Sequence, residues 1–243
     1  MRIPRVYTPQ PIATGQPLTL EEQASVHLAR VLRMRLNDTV RLFNGNGGEH
    51  TASIIEIGKK HVSLLPDEHS GIDIQSPLQT HIAVGVSKAD KMDWIIQKCT
   101  ELGVNSLYPV ITERCDVKMD TERWQKKVER WQDIAISACE QSGRNLIPLV
   151  HNVQTFPQWL HETTDLVRCL LHPEGKNAFS SLPVENNLAM IFGPEGGFSD
   201  NEITLAQQEG CHITRLGPRV LRAETAPLAA LSLAQAQWGD LLE

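Results

Sequence analysis

Between Leu188 and Glu202 an apolar run, three glycines and a helix-capping pair follow one another without a break, an order that suits strand, turn and helix and little else. Leu188 to Phe192 fits a short buried strand. Ser199 and Glu202 form the S-x-x-E pattern, in which a hydroxyl and a carboxylate satisfy the first free N–H groups of a helix. Gly193, Gly196 and Gly197 therefore fall on the turn. Glycine there permits positive φ and lets a ligand reach main-chain N–H and C=O groups without meeting a Cβ, although a tight turn with no ligand uses it too. A second segment, Leu216-Gly-Pro-Arg-Val-Leu-Arg-Ala-Glu-Thr-Ala226, follows apolar Ile213 to Leu216 and precedes a long Ala/Leu-rich stretch. Two ligand-type loops at the same ends of two strands mark the edge where open α/β sheets bind ligands.

The surrounding pattern extends this reading. From His81 onward strand-like and helix-like segments alternate: His81 to Val86, a helix capped by Ser87 and Asp90 and ending at Gly103, Ser106 to Ile111, a helix from Asp120 to Gln141, then strands starting near Leu166, Leu188 and Ile213. Met92, Ile96, Cys99 and Leu102 recur at helical spacing, as do Trp124, Val128, Trp131, Ala135 and Ala138. The fold class is α/β with a mainly parallel sheet. A last helix, Thr225 to about Leu242, carries Ala and Leu on nearly every side, which favours a homodimer interface.

The N-terminal part reads differently. Thr19 and Glu22 make a capping box for a helix running to about Met34, with Ala24, Leu28, Val31 and Leu32 on one face and His27, Arg30 and Arg33 roughly opposite. Thr39 to Phe43, Ala52 to Ile57 and His61 to Leu65 are short strands joined by turn residues, and Pro66 to Pro77 reads as the linker. Net charge is −6, yet residues 1–41 hold six Arg against three acids, +3, which leaves −9 for the rest. A local basic surface on an acidic body suits a specific nucleic-acid contact better than nonspecific coating.

Five cysteines without a C-x-x-C pair, and nine histidines without clustered spacing, indicate neither a disulfide framework nor a metal. No apolar run is long enough to span a bilayer and Met1 to Tyr7 leads into no signal-like region, so no membrane association and a cytoplasmic location are expected. G-x-G-x-x-G, the P-loop pattern and G-x-S-x-G are all absent.

Gly193-Pro-Glu-Gly-Gly197 and Leu216 to Ala226 resemble the two signature motifs of the ribosomal RNA small subunit methyltransferase E family, 16S rRNA uridine-N3 methyltransferases of the SPOUT class. Met1 to Tyr7, His27 with Arg30-Val-Leu-Arg33, Lys98-Cys-Thr-Glu-Leu-Gly103, Glu113-Arg-Cys115 and Glu140-Gln-Ser-Gly-Arg-Asn145 fit the same family, so the resemblance covers the whole chain. It implies a PUA-like β-barrel domain over residues 1–72, a trefoil-knotted methyltransferase domain over 73–243, a homodimer, and S-adenosylmethionine as methyl donor to N3 of a uridine in 16S rRNA of the small ribosomal subunit. The donor is expected against Leu171, His172, Pro173, Gly193, Pro194, Glu195, Gly196, Leu216, Gly217, Val220 and Leu221. Leu216, Val220 and Leu221 supply apolar contact, while Glu195 serves loop architecture or an electrostatic role. Arg222 is the candidate to stabilise negative charge on the uracil and Glu224 to take its proton, unless the two pair with each other to hold the loop. Arg5, Arg30 and Arg33 are expected to hold RNA phosphates, and resemblance puts Arg114 and Arg144 near the active face. The residues alone leave open a non-catalytic RNA-binding ribosome-assembly factor and a methyltransferase of another RNA.

Overall fold

The computed structural model describes residues 3–87, 89–115 and 120–242. Met1 and Arg2, part of the expected N-terminal motif and basic stretch, and Lys88, at the expected Ser87–Asp90 cap, lie outside the described residues. The chain forms two compact units, one of Met1–Gln75 with Cys139–Ile147, the other of Ser76–Ala138 with Pro148–Glu243.

The first unit is a five-stranded sheet of β1 (Arg5–Tyr7), β2 (Leu18–Thr19), β3 (Thr39–Phe43), β4 (Glu49–Ile57) and β5 (Val62–Ser70), in the order β1-β3-β4-β5-β2. β1 runs parallel to β3 and every other pair is antiparallel. Its core is Val6, Leu28, Val40, Leu42, Ala52, Ile54, Val62 and Leu64 with their neighbours.

Three local expectations are corrected here. Thr19 caps no helix: it lies in β2 with its hydroxyl 2.9 Å from that of Ser63, and the residue before helix α1 (Glu22–Val26) is Glu21, whose side chain makes no cap bond. From His27 to Val31 the chain follows a π-helical turn, with the Leu32 N–H bonded to the His27 carbonyl, and Arg33 ends it at φ 54°. The wider turn rotates later residues off the 3.6-residue pattern, so Leu28 stays buried while Val31 and Leu32 are exposed. The linker also starts later than Pro66, which sits inside β5 opposite Ala52. A proline is tolerated there because β2 pairs only with Ser63 and Leu64, leaving an edge at Pro66 whose carbonyl accepts the Gly15 N–H.

The second unit is built on an eight-stranded sheet whose pairs are all parallel. In chain order its elements are β6 (Gln79–Gly85), α2 (Ala89–Glu101), β7 (Ser106–Ile111), α3 (Thr121–Ser142, its last turn in the first unit), β8 (Leu149–Val150) and β9 (Gln154–Thr155). There follow α4 (Phe156–Glu162), β10 (Val167–Leu171), β11 (Asn177–Ala178), β12 (Asn187–Phe192), α5 (Asp200–Gln208), β13 (His212–Arg215) and α6 (Thr225–Trp238). Strand order is β11-β13-β10-β12-β6-β7-β8, with β9 on β7. Both faces are buried, as a parallel sheet requires, and alternate residues serve two cores: Leu188, Met190 and Phe192 of β12 face one, Ala189 and Ile191 the other. Residues 156–162, not read as a helix from the sequence, form α4 on a Thr155–Gln158 capping box and bury Phe156, Trp159 and Leu160. α6 stops at Trp238, short of Leu242, and buries Ala230, Leu231, Ala234 and Gln235 while leaving Leu233 half exposed.

Candidate functional site

Parallel strands deliver their following loops to one edge, and the register of three central strands brings those loops level. Leu171 of β10 pairs with Phe192 of β12 and with Thr214 of β13, and the His172 N–H bonds to the Thr214 carbonyl at 2.9 Å. A cavity of about 530 Å³ opens between them. Its walls are Leu171, His172 and Pro173 after β10, Phe192 to Phe198 after β12, and Leu216, Gly217 and Arg219 to Ala223 after β13, closed by Ala226, Lys91 and Arg114. All eleven residues expected to hold a donor line this one space, and Arg222 lines it with them.

The 193–197 loop is held by close backbone packing. Gly197 takes φ +68° and its N–H closes a turn onto the Pro194 carbonyl at 2.9 Å. At Gly85, the end of β6, a Cβ would lie 2.4 Å from Pro194 Cδ, so only glycine lets this loop rest on β6. The loop exits through the capping box foreseen in the sequence: the Ser199 N–H donates to Glu202 Oε2 at 2.9 Å and the Glu202 N–H to Ser199 Oγ at 3.1 Å. Buried Glu202 does more, because its Oε1 also accepts the Glu113 N–H at 2.9 Å. Arg114, the next residue, donates from Nη1 to the Gly196 carbonyl at 2.9 Å, so its guanidinium bonds the loop backbone at the cavity rim.

The charged side chains form a second layer. Lys91 Nζ, from the first turn of α2, lies 3.0 Å from Glu195 Oε1 and 3.4 Å from Glu224 Oε2. The contact with Glu224 is the longer of the two, and the Glu224 Oε2 it reaches is buried. Glu224 thus pairs with Lys91 rather than with Arg222. The hydrogen bond to Glu195 pushes the Lys91 ammonium up, against the effect of burial and with help from the Glu195 charge and from the side chain of Glu224. Burial pushes the Glu195 carboxyl up, but Lys91, its own backbone N–H and the Ser87 hydroxyl outweigh this and hold it below the usual carboxylate value. Lys91 was not foreseen: the one cue is its position just after β6, at the sheet edge that carries the loops.

The expected RNA contacts separate into two groups. Arg30 and Arg33 are exposed on the first unit, Arg30 bonding only weakly to the Lys59 carbonyl at 3.4 Å. Arg5, expected to hold phosphates, and Arg144, expected near the active face, have buried side chains. Arg5 pairs with Glu49, donates to the Arg144 carbonyl and to Asn145 Oδ1, and lies over the Phe43 ring. Arg144 donates from Nη2 to Gln75 Oε1 at 3.0 Å. Among the described residues no group of three His, Cys, Asp or Glu is arranged to hold a metal, and no helix is long and apolar enough to cross a membrane.

Residues 74–235 match the RNA methyltransferase domain family, which contains the whole cavity, and residues 20–67 match the RNA methyltransferase PUA domain family. Ribosomal RNA small subunit methyltransferase E of Bacillus subtilis is 38% identical over 236 residues, 93% of this chain and 92% of the relative. The protein of that name from Buchnera aphidicola subsp. Schizaphis graminum is 34% identical over 99% of this chain and 98% of its own. Among solved structures, a Legionella pneumophila methyltransferase with the cofactor SAM bound superimposes with a TM-score of 0.96 at 42% identity, covering 99% of this chain and 100% of that one. A ribosomal RNA small subunit methyltransferase E from Neisseria gonorrhoeae, bound to S-adenosyl methionine, does so with a TM-score of 0.92 at 35% identity, over 98% and 99%. This chain belongs to the ribosomal RNA small subunit methyltransferase E family. Its α/β fold comprises a SPOUT-type methyltransferase unit with a parallel sheet and a small PUA-type β unit, as the motifs imply.

Proposed function

We propose that this protein transfers the methyl group of S-adenosylmethionine to N3 of a uridine in 16S rRNA of the small ribosomal subunit. The observation that carries the proposal is the convergence of three loops, each following a different strand, on one cavity in a chain of this family. The cavity fits the donor by size and lining: its volume falls within the usual range for small-molecule sites, and Phe192, Leu216, Val220 and Leu221 line it together with the glycines at 193, 196, 197 and 217. Val220 is 79% exposed on this wall, an apolar side chain placed to cover a ligand. When bound, the donor supplies an electrophilic sulfonium methyl.

The protein's own residues do the rest. The loops align donor and base for in-line attack, and orientation of this kind is worth effective molarities of roughly 10⁵–10⁸ M. Arg222, on the cavity wall, offers its guanidinium to the negative charge that develops over N3 and the two uracil oxygens. Glu224 takes the N3 proton on its carboxylate, a step worth about 10²–10⁴-fold. Arg30 and Arg33 hold RNA phosphates. The working form is a homodimer, an expectation supported by an α6 that is apolar on nearly every side yet leaves Leu233 half exposed.

Labelled S-adenosylmethionine and small subunits from a strain lacking the protein provide the test, with the modified nucleoside identified by mass spectrometry. N3-methyluridine is the expected product. Donor binding with a different methylated nucleoside, or with none, would refute the assigned target.

A further inference from the structure

We propose that Lys91 is a positioning residue that clasps the two donor loops together. The inference rests on reading the cavity as the donor site and goes beyond it by assigning the group that keeps the cavity assembled. Lys91 comes from α2, outside both loops, and its ammonium reaches Glu195 of the first loop at 3.0 Å and Glu224 of the second at 3.4 Å. Neither loop is otherwise tied to the other by an ion pair among the described residues. The first is braced from below by Gly85 and from the side by Arg114 and Glu202, whereas the second leads straight into α6 with Glu224 making no side-chain cap bond.

The electrostatics make the clasp necessary. Two carboxylates converge on one cation beside a cavity, and among the described residues Lys91 is the one cation that buried Glu224 Oε2 pairs with. Without the ammonium, a desolvated carboxylate faces a second one, and the cheapest relief is for the loops to part so that water can enter. With it, three side chains that are each no more than 42% exposed form a bridge that salt screens less than a surface pair. The bridge also holds Glu224, the residue assigned to take the proton, by charge.

Hydrogen exchange on the ligand-free protein tests this directly, with donor binding by calorimetry as a second readout. Lys91→Met keeps the length of the side chain and removes its charge, Lys91→Arg restores the charge, and Lys91→Met with Glu224→Gln removes the repulsion. The first variant is expected to speed amide exchange about five-fold or more in both 193–197 and 217–224, with the rest of the sheet unchanged. If the clasped arrangement falls to about one-tenth of the molecules, apparent donor affinity falls about ten-fold. The Arg variant and the double variant are each expected to recover most of both effects. Unchanged exchange in the two loops of Lys91→Met overturns the clasp, and so does an Arg variant as loose as the Met variant. Wild-type protein that binds no donor while Lys91→Met loosens both loops would refute the donor reading and leave the clasp standing, so the two fail separately.

Discussion

Replacing Glu202 by Ala tests whether one carboxylate braces the donor cavity. Its two oxygens accept the Ser199 and Glu113 N–H groups, both at 2.9 Å, and the residue is 5% exposed. The Ser199 N–H is buried, so stripping it of its acceptor costs about 1–3 kcal/mol, whereas the Glu113 N–H, in a more exposed turn, loses roughly half as much because water replaces part of the bond. The sum is about 2–4 kcal/mol, or roughly 5–15 °C in the melting temperature of a chain of this size. Two further variants order the effect. Ser199→Ala removes only the reciprocal bond to the Glu202 N–H, about 1 kcal/mol. Glu202→Gln keeps the shape but aims an amide N–H₂ at one of the two donors, for an intermediate loss of about 2 kcal/mol. Thermal and urea unfolding of the four proteins, followed by donor titration, measure this directly. Donor affinity should fall with stability for Glu202→Ala, since both the 193–197 loop and the turn carrying Arg114 rest on the same carboxylate. A Glu202→Ala protein within about 0.5 kcal/mol of wild type, or no less stable than Ser199→Ala, would refute the brace.

Arg222→Ala should lower kcat at least about 10²-fold while donor Kd, measured by calorimetry, stays within a few-fold; a large loss of donor binding would make Arg222 a structural residue instead. Arg30→Ala and Arg33→Ala should each reduce the salt dependence of RNA binding by about one unit of slope, whereas Arg5→Ala should destabilise the first unit by about 1–3 kcal/mol because Asn145 and the Arg144 carbonyl lose a donor while Glu49 keeps Arg41; a salt-slope effect at Arg5 with normal melting would reverse that division. Gly85→Ala should displace the 193–197 loop through the clash with Pro194 and weaken donor binding about ten-fold or more, and unchanged affinity would show that the loop does not depend on this contact. His81 and His151 give a pH signature: burial holds both below the ordinary histidine value of 6.5, helped at His81 by the His151 charge and opposed at His151 by Glu162. Unfolded chains then bind protons that the folded protein rejects, so stability is full above 6.5 and is lost as pH falls below it. Urea midpoints at pH values of about 7.5 and 5.5 should show that loss, and His81→Phe should flatten it; an equal pH slope in the variant would show that His81 does not contribute.

What could be read from the sequence follows from which constraints are local. The strands of the parallel sheet were legible because a strand buried on both faces must be apolar at consecutive positions, as Leu188 to Phe192 are, with neighbours feeding different cores. The donor loops were legible for a related reason: the Gly197 turn and the Ser199 box are backbone requirements met by residues a few positions apart. The helix after Thr19 was misread because its amphipathic pattern assumes 3.6 residues per turn, and a π turn at His27 to Val31 breaks that period without a Gly or Pro to announce it. α4 did carry local cues, Thr155, Pro157 and Gln158, in a segment too short to show helical periodicity. The charged residues were the hardest to assign, because the task of a long cationic side chain depends on partners far along the chain. Arg5 and Arg30 look alike in sequence, yet one is committed to Glu49, Asn145 and the Phe43 ring while the other is exposed to solvent. Lys91 stands beside Asp90 and Asp93 and reads as a surface lysine, but its partners are Glu195 and Glu224. Cations with built-in carboxylate or carbonyl partners are therefore assigned to holding the protein together, and the exposed or cavity-facing ones, Arg30, Arg33 and Arg222, are left to act on RNA.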